Sequence, residues 1–294
     1  MQRSWNSVLP AGDAHTRIYP PGPCQHPAIP GVAVMEILIP TRGRIYQQLT
    51  LQSLPPELRK RTTLVCPKRE ASELHRLYEN VKIACEPYPN MKIAQKREWI
   101  AHEWLKYGHE KILMIDDDLV FSARISADDW HLREIQGEEL IPEFQRIEDK
   151  LGPEFPHVGF GQRQGNNRLE EVGWKSPAKQ VCTLGYYLPV VVKECQWDLV
   201  ELRQDMCVTL QLLLKGYANA VWTRTVADQK RDAPGGCSTY RTDEMSAAEA
   251  RKLAALFPNY VSVGKRKYGR LEVTVQWQKA LRDGQRNRSR LFVC

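Results

Sequence analysis

Residues 111–118 read KILMIDDD, and the fold turns on how that stretch is read. KILMI is short, apolar and ends abruptly, the pattern of a strand buried inside a sheet. The three aspartates that follow repel one another, so their clustering is stable only beside something positive. At the end of a buried strand, a divalent cation with oxygen ligands is the natural partner. In an extended chain Asp116 and Asp118 face one side and Asp117 the other, which makes Asp116 and Asp118 the candidate metal ligands. The competing reading is an acidic turn that caps the next segment.

Upstream the same kind of strand recurs. VAVMEILIP (32–40) is a β-branched run stopped by proline, TTLVCP (62–67) a second strand and VKIACEP (81–87) a third. Between them, 44–54 is expected to be helical up to Pro55-Pro56, 70–79 is a second helix, and KIAQKREWIAHEWLKYG (92–108) has helical period with Gly108 as its stop. Four strands alternating with three helices within about 85 residues predict an α/β, Rossmann-like, mostly parallel sheet flanked by helices. Ligands of such sheets bind at the carboxyl ends of the strands, here Pro40–Arg44, Lys92–Arg97 and Asp116–Asp118. Downstream, 128–150 is expected to form one or two acidic helices. VGFGQRQGNNR (158–168) and VCTLGYYLPVVV (181–192) read as strands around a polar loop. QDMCVTLQLLLKGY (204–217) is an amphipathic helix closed by Gly216, and a strand follows at 218–226. DAPGGCSTYRT (232–242) is a glycine loop, and SAAEARKLAALFP (246–258) a last helix with Ser246 as N-cap.

The composition of the 294 residues, 42% hydrophobic and 26% charged, is that of a globular protein. No apolar run reaches the roughly 20 residues of a membrane span, and MQRSWNSVLPAGD (1–13) lacks the apolar centre of a secretory signal. The eight cysteines contain no CxxC pair, which disfavours zinc ribbons and redox motifs and fits reduced thiols in a cytoplasmic protein. Residues 1–33, with six prolines, predict an extended arm. From Lys265 to Cys294 there are nine Lys and Arg against Glu272 and Asp283, so the entire net charge of +7 lies in that segment. Such a basic tail suits a polyanionic partner, or is simply a solvated terminus.

Arg42, Arg44, Lys92, Lys96 and Arg97 lie on neighbouring strand ends and together make an anion clamp beside the aspartates. Neither GxxxxGK[ST] nor a strand followed by GxGxxG occurs, which disfavours P-loop and dinucleotide sites. Asp205 opens the helix at 204 and either complements its dipole or serves as a base toward a hydroxyl. Gly235-Gly236 brings backbone amides close to an anionic or sugar group, or is a plain turn.

ILIPTRGR, KIAQKREWI, KILMIDDDLVF and QDMCVTLQLLLKGY, in that order, resemble a GT-A glycosyltransferase. More narrowly, AQKREWI before IDDDLVF with GGCSTYRT downstream is similar to the phage TET-associated glycosyltransferases. The resemblance implies a GT-A domain over 34–264 and transfer of a sugar from a UDP-sugar to 5-hydroxymethylcytosine or another hydroxymethylpyrimidine in DNA. It implies that Pro40, Thr41, Arg42, Arg44, Lys92, Gln95, Arg97, Asp116, Asp117, Gly235 and Gly236 hold the nucleotide-sugar. Mn2+ or Mg2+ would sit on Asp116 and Asp118, with Asp228 replacing the family's usual C-terminal histidine. In the family the acceptor-facing helix opens Glu-Asp; here it opens Gln204-Asp205, so Asp205 carries over as the base of an inverting, single-carboxylate reaction. DNA would be held by the tail (Lys265, Arg266, Lys267, Arg270) and by Arg163, Asn166, Asn167 and Arg168. Trp174, Tyr186 and Tyr187 are candidates to stack on an extruded base. No membrane and no obligate protein partner is implied, and the location is the cytoplasm, the host's if phage-encoded. The alternatives are a glycosyltransferase with a glycan, lipid or small-molecule acceptor, a metal-dependent nucleotidyltransferase or nuclease, and a non-catalytic DNA-binding protein on a degenerate transferase fold.

Overall fold

The computed structural model describes residues 34–126, 131–163, 172–229, 235–265 and 271–291. Strands β1 (Glu36–Pro40), β2 (Thr62–Cys66), β3 (Lys82–Cys85) and β4 (Lys111–Ile115) are mutually parallel in the order β3-β2-β1-β4. Their connections are the short helices α1 (Leu49–Ser53) and α2 (Pro56–Lys60), then α3 (Lys68–Leu77) and α4 (Ile93–Lys106). The alternation of side chains along these strands divides the core in two. Ile37, Ile39, Leu64, Leu113 and Ile115 pack into one layer, whereas Leu38, Val65, Ile112 and Met114 pack into the other with Ile100 and Trp104 of α4. Each such side chain contributes about 1.5–3 kcal/mol by burial.

The sheet continues beyond β4 with β9 (Thr183–Tyr187), β7 (His157–Gln162), β10 (Asn219–Gln229), β5 (Leu119–Arg124) and β6 (Leu132–Ile135), and β8 (Trp174–Lys175) pairs with β10. Strands β1–β4, β6, β7 and β10 run one way; β5, β8 and β9 run the other. Helices α5 (Leu140–Lys150), α6 (Leu188–Glu194) and α7 (Gln204–Leu214) cover the faces. Two expectations fail here. Residues 132–135 form an edge strand, with only 140–150 helical, because Leu132–Ile135 finds ladder partners on β5 that its own sequence does not announce. The strand expected over 181–192 stops at Tyr187, where Pro189 sits in the first turn of α6 and Leu188 and Val191 turn into the core.

The expected helix at 44–54 is reduced to α1, since Gly43 has φ +70° and Gln48 is occupied in bonding Thr41 Oγ1 and the Arg44 carbonyl. Helix α8 (Asp243–Leu256) begins before Ser246: Thr242 is the N-cap and accepts from the Met245 amide at 3.1 Å.

The segment expected as a basic tail from Lys265 is, in its described residues, part of the fold. β11 (Val261–Lys265) and β12 (Leu271–Val275) form a hairpin across the boundary expected at Lys265, and α9 (Trp277–Leu291) packs against α7. At Gly284 a Cβ would lie 2.7 Å from the Leu214 carbonyl carbon and 2.8 Å from the Gly216 amide, so only glycine lets the two helices approach this closely. Ala280, Leu213, Leu253 and Phe257 complete that third core. The arm over 1–33 lies outside the described residues.

Candidate active site

The chain leaves β1 toward β2 on one flank and returns to β4 on the other, so the loops after β1 and β4 diverge. Between them opens a pocket of about 780 Å³, at the switch point where such sheets bind ligands.

Three of its walls carry charge. From β1 come Pro40, Thr41, Arg42 and Arg44; from α4, Lys96 and Arg97; from the end of β4, Asp116, Asp117 and Asp118. Arg42 donates to Glu86 Oε2 at 2.9 Å and to the Met91 carbonyl at 2.6 Å, and the buried Lys96 pairs with the same Glu86. Arg44 pairs with Asp117 and reaches Asp118 Oδ2 at 3.1 Å. Arg97 holds Asp116 Oδ1 at 2.8 Å, and Gln229 donates to Asp116 Oδ2 at 2.9 Å.

All three aspartates line the pocket, contrary to the expectation that Asp117 points away. The strand has already ended at Ile115 and 117–118 form a turn, so alternation no longer applies. Asp117 instead accepts from Thr41 Oγ1 at 2.5 Å and ties β1 to β4. Burial raises its pKa against the opposing charge of Arg44. Asp118 is pushed up to about 6, by burial first and then by Asp116.

Asp118 Oδ1 is buried and has no hydrogen-bond partner among the described residues. With Asp116 beside it, that free oxygen fits a Mg2+- or Mn2+-sized cation of the kind held by one or two carboxylates plus substrate phosphates. Among the described residues no three His, Cys, Asp or Glu side chains are grouped to form a complete protein shell. Asp228 is exposed on β10 and absent from the pocket lining; its neighbour Gln229 is the residue there.

The fourth wall is the start of α7. Arg203, the N-cap, lies in the left-handed region at φ 65°, as does Cys182 across the pocket. Arg203 is held there by the carbonyl of Ser246 at 2.9 Å. The turn delivers Gln204 and Asp205 to the pocket. Asp205 Oδ1 accepts from the Met206 amide at 2.8 Å, and burial raises its pKa against the nearby charge of Arg97. A carboxylate with raised basicity can take a proton from a hydroxyl.

Gly236 closes the rim through its amide, which donates to the Arg42 carbonyl at 2.8 Å. Gly235 (φ +107°) backs it, with space for no Cβ: Arg44 Cγ would be 2.8 Å away. Lys92 and Gln95 do not reach the pocket; both are exposed, and the Lys92 amide donates to Gln95 Oε1 at 3.2 Å in capping α4. Glu86, Gln162, Arg203 and Gln229 were missed in the sequence, since each sits at or just outside the end of an element with no motif of its own, and Tyr240 was passed over within the GGCSTYRT run. Arg241, also in the lining, sits in the GGCSTYRT run.

Of the residues expected to meet a polyanion, Arg163 is exposed just after β7 and Lys265 is exposed at the end of β11. Asn166, Asn167, Arg168, Arg266, Lys267 and Arg270 lie outside the described residues. Tyr186 cannot stack on a base. It is fully buried, with its ring on His157 at 4.6 Å and edge-on to Trp197 at 5.0 Å. Tyr187 is half-buried against the core, and Trp174 leans on Trp222 at 5.1 Å with 37% of its surface exposed.

Residues 35–236 match the family described as TAGT, TET-Associated Glycosyltransferase. Similar solved structures include S. aureus TarS 1–349 in complex with UDP, 11% identical with a TM-score of 0.45, covering 76% of this chain and 65% of that one. GalNAc-T7 with UDP, GalNAc and Mn2+ is 10% identical with a TM-score of 0.42, covering 76% and 48%. Mannose-1-phosphate geranyltransferase from Thermus thermophilus is 14% identical with a TM-score of 0.32, covering 88% and 64%. The chain spans less than two thirds of the length of each of these three. No curated protein sequence is a significant match. No helix among the described residues is long and apolar enough to cross a membrane.

Proposed function

The chain belongs to the TET-associated glycosyltransferase family, and we propose that it transfers a sugar from a UDP-sugar to the hydroxyl of 5-hydroxymethylcytosine, or another hydroxymethylpyrimidine, in phage DNA. The observation that carries this reading is the position of Asp205, whose basicity is raised by burial, on the same pocket as the Asp116–Asp118 cluster and its arginines.

Thr41, Arg42 and Asp117 line the part of the pocket over β1 and would hold the nucleotide. Asp116 and Asp118 would hold Mn2+ or Mg2+, which when bound supplies positive charge to the departing diphosphate. Arg44 and Arg97, already fixed by the aspartates, bring their guanidinium charge to the same oxygens. Asp205 accepts the proton of the hydroxymethyl group. The oxygen's electron pair forms the bond to the anomeric carbon, while the bond from that carbon to the diphosphate oxygen breaks and its pair leaves with UDP. One carboxylate acting on an in-line nucleophile inverts the anomeric centre. The acceptor base must leave the duplex to reach a pocket at the carboxyl ends of the strands.

The test is mass-spectrometric nucleoside analysis after incubation with 5-hydroxymethylcytosine DNA and a panel of UDP-sugars. A hexose or N-acetylhexosamine adduct is expected with manganese, and none with chelator or in Asp118→Ala, which should still bind DNA. UDP release without an adduct on DNA moves the acceptor elsewhere. The absence of both adduct and UDP release overturns the transferase reading.

A further inference from the structure

A second cavity, of about 710 Å³, lies between β7, β8 and β10 on one side and the start of α9 on the other. Its lining contains Lys175, Lys179, Lys279 and Arg282 and no acidic residue. Lys279 is engaged, 3.4 Å from Asp283 and over the ring of Tyr260 at 4.3 Å. Lys175, Lys179 and Arg282 are exposed, and the side chain of none of them makes a hydrogen bond or ion pair with another described residue. This is unlike the catalytic pocket, where Arg42, Arg44, Lys96 and Arg97 are all paired. Three like charges converging on a groove without a counter-charge are destabilising unless an anion joins them.

Two observations connect the groove to the chemistry. Gln162 lines both cavities. The charge of Lys179 is also felt by the carboxylate of Asp205. The floor is small or flat (Gly161, Ala178, Val221), so a polymer backbone can lie close, and Trp277 presents an aromatic side chain at the wall.

Resting on the proposed DNA acceptor, we propose that this groove is the track of the acceptor strand's sugar-phosphate backbone, with Lys175, Lys179 and Arg282 on successive phosphates as the strand leads to the pocket at Gln162. The wall supplied by α9 lies outside the segment that matches the family, so this contact belongs to the chain's own C-terminal element.

Fluorescence anisotropy with a 5-hydroxymethylcytosine duplex over a range of salt concentrations tests it. The full-length triple variant Lys175→Ala/Lys179→Ala/Arg282→Ala should bind about 10- to 100-fold more weakly, and its log–log salt slope should be shallower by roughly 2 to 3, near 0.9 per lost phosphate. Lys175→Arg/Arg282→Lys should bind as the parent does, and Arg76→Ala/Lys106→Ala, exposed cations on α3 and α4, should leave the slope unchanged. If the triple variant's thermal melt is shifted, the double variant Lys175→Ala/Arg282→Ala is read instead, with a slope change near 2. Unchanged binding and slope in these variants, with a sugar adduct still formed on DNA by the parent protein, overturns the groove and leaves the acceptor reading intact. A parent protein that neither binds nor modifies the duplex overturns both.

Discussion

Along the β1–β4 wall every cation meets an acid: Arg42 and Lys96 share Glu86, Arg44 holds Asp117 and Asp118, and Arg97 holds Asp116. On the α7 wall Asp205 receives one backbone amide, and Gln204 Oε1 is buried without a partner among the described residues. The first wall is rigidly preorganised, so the diphosphate of the proposed donor would meet dipoles and charges that need not rearrange. The second keeps a carboxylate poorly solvated and therefore basic, the condition for taking a proton. Stability and reactivity are placed on opposite sides of one pocket.

The largest expected effect comes from breaking the reactive side. Asp205→Asn should lower kcat by about a hundred- to ten-thousand-fold with little change in UDP-sugar affinity, measured by steady-state kinetics and calorimetry. Because the parent carboxylate titrates above the ordinary range and must be ionised, the acid limb of its rate profile should lie at higher pH than for an exposed aspartate. The variant should lose that limb.

The paired side should fail in a different way. Glu86→Gln leaves Arg42 and Lys96 sharing a neutral amide in a buried site, a loss of about 3–5 kcal/mol by chemical denaturation. Donor KM should rise with it, since Arg42 no longer has a fixed position.

Beneath both walls, His157 is fully buried, its Nδ1 lies 3.0 Å from the Gly185 carbonyl, to which it donates, and its pKa is lowered to about 4 by burial. It is neutral in the folded chain while the unfolded chain protonates near 6.5. Its contribution to stability is therefore complete above pH 6.5 and falls as pH drops toward 4, by roughly 3 kcal/mol. The difference in urea midpoints between the parent and His157→Gln at about pH 7 and about pH 4.5 isolates this contribution.

The smallest effect is expected where α9 packs on α7. Gly284→Ala forces a Cβ against the end of α7, an overpacking of about 1–3 kcal/mol visible in Tm. The disturbance should reach turnover through α7, whose first turn carries Asp205, while donor affinity should change less, because Gly284 packs at the far end of that helix against Leu213 and Leu214. Deleting residues after Gly264 is a blunter cut than the sequence suggests, since it removes one wall of the core around α7.

Short continuous apolar runs at 36–40, 62–66 and 111–115, and a run of acids placed where the last of these strands must end, were enough to read the parallel half of the sheet and to put Asp116–Asp118 at its carboxyl end. Both rest on short apolar segments bounded by proline or charge, which each segment carries in itself. Lys92 and Gln95 shared a motif with Lys96 and Arg97, yet helix phase sends the first pair to the α4 cap and the second to the pocket. Asp228 and Gln229 were separated the same way, by one residue of strand alternation. Glu86, Gln162 and Gln229 join the site only because the order β3-β2-β1-β4-β9-β7-β10 brings distant strand ends together. The basic C-terminal segment was legible as charge and as nothing more. That it is a hairpin and a helix docked by Ala280 and Gly284, with Arg282 turned to a groove shared with β8 and β10, was decided by long-range packing, which no local window of sequence contains.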